Sequence, residues 1–292
     1  MDITHLQEMK KLVILALFSN DELAKQLVLK GGNVIDIVYG LSTRPSKDID
    51  FSMCGKFEDI QETQELISQA LRVTFAEHGY VVFDVNLREE PTNLTENMKE
   101  FWGGYKIDFK VIGKELFDKY ENNIDELRKR ALPMIEEGGR KFPIEISKYE
   151  YCEEKDARIV DDFTVYVYTP SMLVSEKLRA LCQQMNEYRQ VFKGSARARG
   201  RDFFDIWLIV EHFHIDFEDA KFHSTLKKVF AAKQVPLRLI GKLGDPEVRD
   251  FHGPDFASVI DTIVPDFDLQ SFEYYYDFVL KQCEKLKSLW DE

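Results

Sequence analysis

The stretch LVLKGGNVIDIVYGLSTRPSKDIDF, residues 27–51, contains the features that decide the fold. A short apolar run meets Gly31 and Gly32, where a buried strand is predicted to turn into a helix. A polar loop then leads to Asp48 and Asp50, which flank an isoleucine at the start of a second predicted strand. Side chains two residues apart in a strand point to the same side, so these two carboxylates are expected to converge.

Two carboxylates held this close, here called the acid pair (Asp48 and Asp50), repel each other unless a cation lies between them. Mg²⁺ and Mn²⁺ suit this place, because hard cations bind carboxylate oxygens and share the phosphates of a substrate. The glycines upstream let backbone approach a triphosphate and direct helix N–H groups toward it. A D-x-D strand and a G-G turn are each common, but together they predict a metal-dependent nucleotide site.

The composition limits the partners of such a site. The chain has 292 residues, enough for one large or two modest domains, and a net charge of −13. A uniformly negative surface repels nucleic acid, although a local basic patch remains compatible with binding it. The same charge suits a small cationic substrate equally well.

Apolar segments and cysteines predict where the protein works. No apolar run approaches the roughly 18 residues of a membrane helix, and the first residues lack the pattern of a signal peptide. The cysteines form no C-x-x-C pair, as is typical of reduced thiols in a cytoplasmic protein; they are Cys54, Cys152, Cys182 and Cys283.

Hydrophobic periodicity predicts a change of character near residue 168. Before it, we expect a short helix after Asn20, a strand from residue 28, helices over 3–18, 33–40, 58–78 and 115–130, and strands over 49–53, 80–87, 103–112, 142–148 and 162–168. After it, Thr169 and Pro170 predict a helix start, with helices over 170–189, 201–213, 217–231 and 270–290. We therefore expect an α+β fold, with an α/β domain over residues 1–168 and a helical domain over residues 169–292.

The glycine turn followed by the acid pair resembles the signature of the nucleotidyltransferase superfamily related to DNA polymerase β. The closer resemblance is to the AbiEii/MenT-like abortive-infection toxins, whose typical motifs L-K-G-G and R-x-S-x-D-I-D-F correspond to Leu29–Gly32 and Arg44–Phe51. This resemblance implies a polymerase-β-like core with substrate contacts at Gly31, Gly32, Asn33, Arg44 and Ser46. At Asn33 the family commonly has a small hydroxyl residue, and an amide could donate to a phosphate instead.

A third carboxylate is implied by the run Pro143–Ser147, which resembles the I-E-I-S strand of the same family. The resemblance assigns Glu145 to the metal site, together with Asp48 and Asp50. Asp108, in the strand predicted over 103–112, is a rival for this role. Without the family context, Glu145 could be an acidic side chain exposed on a strand, but its surroundings match the family better than those of Asp108.

Two helical motifs complete the resemblance. The run YTPSMLVSEKLRAL resembles the E-K-L-x-A-L helix of the family, and RDFFDI resembles its R-D-x-x-D-I/L helix. They imply that Lys177 reaches a nucleotide phosphate and that Asp202 enters the active site, orienting Lys177 or the acceptor hydroxyl. The residues alone leave plainer alternatives open. Lys177 can extend from an apolar stripe to solvent, and Asp202 and Asp205 can favour the N-terminus of a helix.

One basic segment, YRQVFKGSARARGR over residues 188–201, stands out in this acidic chain. Its five cations are Arg189, Lys193, Arg197, Arg199 and Arg201. Its glycines and serine predict a loop between the helices of Lys177 and Asp202. Such a loop can simply be solvated, but this place favours contact with a triphosphate or an RNA backbone.

The resemblance implies a transferase that joins the NMP of an NTP to an acceptor and releases pyrophosphate, with Mg²⁺ or Mn²⁺ as cofactor. It also implies the toxin of a toxin–antitoxin or phage-defence pair, a separately encoded antitoxin, and an RNA acceptor such as the tRNA 3′ end. Two alternatives stay open at this point. One is a nucleotidyltransferase acting on small molecules, of the aminoglycoside-modifying type, and the other is a nucleotide-binding module without catalysis.

Overall fold

The computed structural model of the protein describes residues 3–41, 48–133, 139–190, 195–264 and 266–290. The chain divides into two compact units: the first takes in most of the chain up to Val167, and the second takes in the chain from Tyr168 together with Leu41. The first contains a sheet and is called the sheet unit, and the second consists of helices and is called the helical unit. Within the described ranges, no helix is long and apolar enough to span a bilayer.

The sheet unit is built on a mixed sheet. In the described residues its strands are β1 (Val28–Lys30), β2 (Ile49–Ser52), β3 (Tyr80–Glu90), β4 (Gly104–Gly113), β5 (Phe142–Ser147), β6 (Asp156–Val160) and β7 (Phe163–Val167). They lie in the order β3-β4-β5-β2-β1-β7-β6. The pairs β2–β5 and β1–β7 are parallel, and the other neighbours are antiparallel.

Helices cover this sheet, and side chains cap the starts of some of them. They are α1 (Ile3–Phe18), α2 (Asp21–Gln26), α3 (Ile60–Glu77), α4 (Glu96–Lys99), α5 (Lys114–Tyr120) and α6 (Ile124–Arg130), with a π-helical turn at Val34–Val38. Asn20 caps α2 and Asp59 caps α3, because each side chain accepts backbone N–H bonds from the first turn. α1 packs against α3 and β7, which buries Val13 and Ile14 completely.

The alternation predicted for β2 is confirmed. Ile49 and Phe51 are buried in the core, whereas Asp50 between them is half-buried. β5 follows the same rule, with Ile144 and Ile146 buried and Glu145 exposed. The apolar face of the sheet therefore fixes which side these two carboxylates occupy.

The helical unit contains α7 (Pro170–Cys182), α8 (Asn186–Arg189), α9 (Gly200–Phe213), α10 (Ala220–Ala231), α11 (Pro246–His252), α12 (Ala257–Ile260), α13 (Phe272–Glu284) and α14 (Lys287–Trp290), with 3₁₀ turns at Leu237–Lys242 and Gly253–Phe256. The predicted start of α7 is confirmed, since Thr169 accepts the N–H of Met172 and Pro170 occupies the first turn. α9 packs against α7 and α13. Its aromatic residues Phe203 and Phe204 are fully buried.

The expected mixed α/β region followed by a helical region is confirmed, but several element bounds are wrong. The helix predicted over 33–40 is the short turn at Val34–Val38, which ends before Gly40 at a φ of +68°. The helix predicted over 115–130 is two helices, because Asn123 caps a new start at α6.

The C-terminal helices also divide further than the periodicity indicates. The helix predicted over 170–189 stops at Cys182 and resumes as α8, and the one over 270–290 breaks between α13 and α14. β6 is not among the predicted strands. That strand is at the edge of the sheet and leaves Ile159 exposed, so it lacks the alternating burial on which strand prediction depends.

Candidate active site

Gly31 brings backbone against the acid pair. It follows β1 with a φ of +71°, in the left-handed region that glycine tolerates. A Cβ at this position would lie 2.9 Å from Oδ2 of Asp50. The turn after β1 therefore approaches the Asp50 carboxylate closely, and a side chain at residue 31 would push it away.

Strand pairing sets Asp50 beside Glu145. The two residues are partners in the parallel pair β2–β5. On one side Lys30 is the partner of Asp50, and on the other side Lys106 is the partner of Glu145. Because residues in register share a face of the sheet, these four side chains form a charged row with two anions between two cations.

The cations of this charged row make defined contacts. Lys30 Nζ donates to Ser147 Oγ at 3.0 Å and lies 3.9 Å from Glu150 Oε1. Lys106 Nζ lies 3.7 Å from Glu145 Oε1, and the Glu145 side chain is 57% exposed. Because an ion pair this exposed is weak, a divalent cation could displace Lys106 from the Glu145 carboxylate.

Asp108, the rival to Glu145, is differently placed. Its register partner on β5 is Pro143, and it is buried. Arg88 donates to its Oδ2 at 2.5 Å, and Lys141 lies 3.9 Å from the same oxygen. Asp108 is thus held in an ion pair with Arg88, whereas Glu145 is the neighbour of Asp50 on the adjacent strand.

Asn33 ties the glycine turn to the acid pair. It is fully buried, and its Nδ2 donates to the backbone carbonyl of Asp48. Its Oδ1 is buried without a hydrogen-bond partner. The amide that the sequence analysis assigned to a phosphate therefore holds the start of β2. Two other predicted contacts, Arg44 and Ser46, lie outside the described residues.

The donors near Asp50 fit a hard divalent cation. Asp48 is exposed and Asp50 is half-buried, and the turn at Gly31 approaches the Asp50 carboxylate closely. Among the described residues, no group of three or more His, Cys, Asp or Glu side chains is already arranged to hold a metal ion. The assignment of Asp48, Asp50 and Glu145 to one cation stays a prediction.

A buried lysine on α1 is not among the residues predicted for the site. Lys10 is only 2% exposed. Burial lowers the pKa of Lys10 to about 8, although the charges of Asp36, Asp48 and Asp50 raise it. Helical spacing could have revealed this position, because residue 10 lies three and four residues before Val13 and Ile14 on the buried face.

A second cluster of charges lies within the helical unit. Lys177 on α7 is 8% exposed, and its Nζ donates to Asp202 Oδ1 at 3.1 Å and to Asp205 Oδ2 at 2.6 Å. Both carboxylates are buried and belong to the same turn of α9. The alternative of a lysine extended to solvent is therefore wrong. Asp202 does lie in the first turn of α9, as the alternative for the two acids expects, but both carboxylates are buried and bound to Lys177.

Arg199 and His252 extend this Lys177 cluster. Burial acts to raise the pKa of Asp202, but the charges of Arg199 and Lys177 outweigh it and hold the pKa well below the usual range. The backbone N–H of Arg199 donates to Nδ1 of His252 at 2.9 Å, and burial lowers the pKa of His252 to about 4. Gly200 permits this approach, because a Cβ there would lie 2.5 Å from the His252 carbonyl oxygen.

The basic segment is not one uniform surface. Arg197 is exposed, and its backbone N–H donates to Gln184 Oε1 at 2.9 Å. Arg199 is half-buried and donates through Nε to Asp202. Arg189 belongs to α8, Arg201 is half-buried in α9, and Lys193 lies outside the described residues. Arg197 is thus the most available of the described arginines in this segment.

An open cavity of about 480 Å³ adjoins this segment within the helical unit. Arg189, Ala196 and Lys242 line it together with Glu247 and His252. Since both signs of charge face the cavity, its lining suits polar groups rather than an apolar ligand.

Comparison with known families decides the class of this protein. The model of the nucleotidyl transferase AbiEii toxin, from type IV toxin–antitoxin systems, matches residues 13–278. The chain belongs to the AbiEii family. The resemblance carried by the glycine turn and the acid pair is confirmed, and the chain is a nucleotidyltransferase of a toxin family. AbiEii membership also implies a separate antitoxin.

Two solved structures resemble this AbiEii chain along nearly all of its length. The Helicobacter pylori protein JHP933 is 14% identical, with 98% of this chain and 94% of that chain covered and a TM-score of 0.49. An antigenic nucleotidyltransferase-like protein from Paracoccidioides brasiliensis is 12% identical, with 88% and 94% covered and a TM-score of 0.38. No curated protein matches the chain.

Proposed function

We propose that this protein transfers the NMP of an NTP to a hydroxyl acceptor and releases pyrophosphate. The proposal depends on the close approach of Gly31 to the Asp50 carboxylate. A Cβ at residue 31 would lie only 2.9 Å from Oδ2 of Asp50. A turn of backbone N–H groups beside a carboxylate pair is what a metal-bound triphosphate requires.

Asp48 and Asp50 would hold Mg²⁺ or Mn²⁺, and Glu145 would complete the site or accept the proton of the attacking hydroxyl. The metal, when bound, neutralises phosphate charge and polarises the phosphorus under attack. Gly31 and Gly32 leave space for the triphosphate, and Asn33 fixes the carbonyl of Asp48. The protein residues mainly position the reacting groups.

Family membership supports a role for the Lys177 cluster in the same reaction. A lysine held by two buried carboxylates has a fixed ammonium, which suits a phosphate contact or the positioning of an acceptor. In this proposal Asp202 orients Lys177, and Arg199 and Arg201 keep Asp202 ionised.

The acceptor we propose is RNA, with the tRNA 3′ end as the first candidate, and the protein acts as a cytoplasmic toxin that its antitoxin restrains. The RNA acceptor is supported by a local group of basic residues in the helical unit. Arg197 is exposed in a basic segment beside the cavity lined by Arg189 and Lys242. Phosphate contacts of this kind can outweigh an acidic net charge at close range.

Labelled NTPs offered to total tRNA and, in parallel, to small cationic compounds test the acceptor. We expect labelled tRNA, and RNA binding whose logarithmic salt slope becomes shallower by about 0.7–0.9 in Arg197→Ala. Lys221→Ala, an exposed cation outside the basic segment, is the control and should leave the slope unchanged. Label on a cationic compound and none on RNA would refute the RNA acceptor and favour the small-molecule alternative.

A further inference from the structure

Lys10 is an unusual residue for a helix interior. It lies on α1 between the buried Met9 and the buried face of Val13 and Ile14, and 2% of its surface is exposed. An ammonium removed from water destabilises the fold unless anions surround it. The anions near Lys10 therefore indicate what it does.

Two of those anions, Asp48 and Asp50, belong to the proposed metal site, and the third is Asp36. Asp36, Asp48 and Asp50 all act on the Lys10 charge. Gln7, three residues before Lys10 on the same face of α1, donates through Nε2 to Asp36 Oδ2 at 2.5 Å. Asp36 is in the turn Val34–Val38 that follows the glycines. This face of α1 thus lies against the glycine turn and within the field of the acid pair.

We propose that Lys10 is a positioning residue, a built-in counter-cation that holds Asp48 and Asp50 in place before the divalent cation binds. This proposal rests on the proposed function, because it concerns the metal site of that reaction. Without a cation the acid pair would repel itself apart, and a buried ammonium relieves that repulsion. The same ammonium repels an incoming divalent cation and attracts the triphosphate that accompanies it.

Two opposite effects follow from this arrangement. When Lys10 is replaced by Met, Mn²⁺ alone should bind more tightly, by about tenfold, since one repelling charge has gone. The complex of Mn²⁺ with a non-hydrolysable NTP should bind more weakly, since a charge that attracts phosphate has gone. A lysine with a purely structural role would not move the two affinities in opposite directions.

The experiment titrates the full chain with Mn²⁺, followed by electron paramagnetic resonance, with and without a non-hydrolysable NTP. Lys10→Met should show the opposite shifts, and Lys10→Arg should restore wild-type affinities. Lys11→Met is the matched control, because Lys11 is the next residue, is partly exposed and pairs with Asp161 at 2.6 Å. Equal or weaker Mn²⁺ binding by a folded Lys10→Met protein would overturn the proposal.

A second measurement decides the matter if Lys10→Met does not fold or wild type binds no Mn²⁺. Thermal unfolding of Asp50→Asn without metal compares the attraction between Lys10 and Asp50 with the repulsion between Asp48 and Asp50. If Lys10 is the counter-cation, the variant loses a partner of a buried charge and melts at a lower temperature. A melting temperature that holds or rises means that repulsion between Asp48 and Asp50 dominates, and Lys10 is then not their counter-cation. Absence of Mn²⁺ binding by wild type would count against the proposed function only.

Discussion

Gly31 and Asp50 are in contact across the first two strands of the sheet. Gly31 has a φ of +71°, and a Cβ added at this residue would lie 2.9 Å from Oδ2 of Asp50. β1 and β2 are antiparallel neighbours, so the turn after one strand meets the start of the other. The backbone proposed to bind phosphate is thereby fixed against the carboxylate proposed to bind the metal.

Gly31→Ala should therefore abolish metal-dependent NTP binding. The substitution adds backbone strain of about 1–2 kcal/mol and also displaces the Asp50 carboxylate. Gly79→Ala is the matched control, because Gly79 has a φ of +79° with nothing within 4 Å of a built Cβ. Calorimetry should show similar losses of stability in both variants but loss of nucleotide binding in Gly31→Ala alone. Equal binding by the two variants would contradict the role of this contact.

Glu145 and Asp108 should separate into a catalytic and a structural carboxylate. Glu145→Gln removes only a weak, exposed pair with Lys106, so the melting temperature should stay within about 2 °C while transfer falls by orders of magnitude. Asp108→Asn should lower the melting temperature, because Arg88 loses its buried partner. Activity and melting measured on both variants check this. If Glu145→Gln had a clearly lower melting temperature but kept its specific activity, Glu145 would be the structural carboxylate and not the catalytic one.

Lys177→Met should destabilise the helical unit as well as stop transfer. Asp202 and Asp205 are buried, and removing their shared cation leaves two carboxylates poorly compensated. We expect a loss of roughly 3 kcal/mol or more in the free energy of unfolding. Lys177→Met with Asp205→Asn should recover part of that loss, whereas activity should stay absent. Denaturant unfolding of the single and double variants measures this, and additive losses would mean that the two residues are not coupled.

The sequence was informative where local chemistry decides the structure. Thr169 and Pro170 mark the start of α7 because capping depends on neighbouring residues alone. The alternation around Asp50 sets its face because the strand period is two. The family resemblance identified the class of enzyme from the motifs at Gly31 and Asp50.

Long-range electrostatics could not be predicted in this way. Lys10 and Lys177 both look like surface lysines along the chain, but each is buried among carboxylates contributed by other elements. The bond from the Asn33 amide to the backbone of Asp48 was not predicted either, and the phosphate contact of Asn33 stays a prediction. Such partners depend on which helix packs against which turn, and no local pattern encodes that.

His252 should make stability depend on pH. Burial lowers its pKa to about 4 from an ordinary value near 6.5, so the unfolded chain binds the proton more readily between these pH values. Stability should fall as the pH drops through that window, by at most roughly 3 kcal/mol. The bond from the Arg199 N–H to Nδ1 is lost on protonation.

His252→Gln keeps an acceptor for that bond and should flatten the dependence over this window. His212→Gln, at an exposed position of α9, is the control and should keep the wild-type slope. Free energies of unfolding measured from pH 7 to pH 4 check the prediction. An identical slope in wild type and His252→Gln would contradict it.

The central claim, nucleotidyl transfer at the acid pair, is tested most directly by the position of the label in the NTP. With Mg²⁺, label at the α-phosphate should pass to the acceptor and label at the γ-phosphate should leave as pyrophosphate. Asp50→Asn should lose the transfer, and Asp125→Asn, with a carboxylate 79% exposed on α6, should keep it. Transfer of the γ-label, or undiminished α-transfer by Asp50→Asn, would contradict the account.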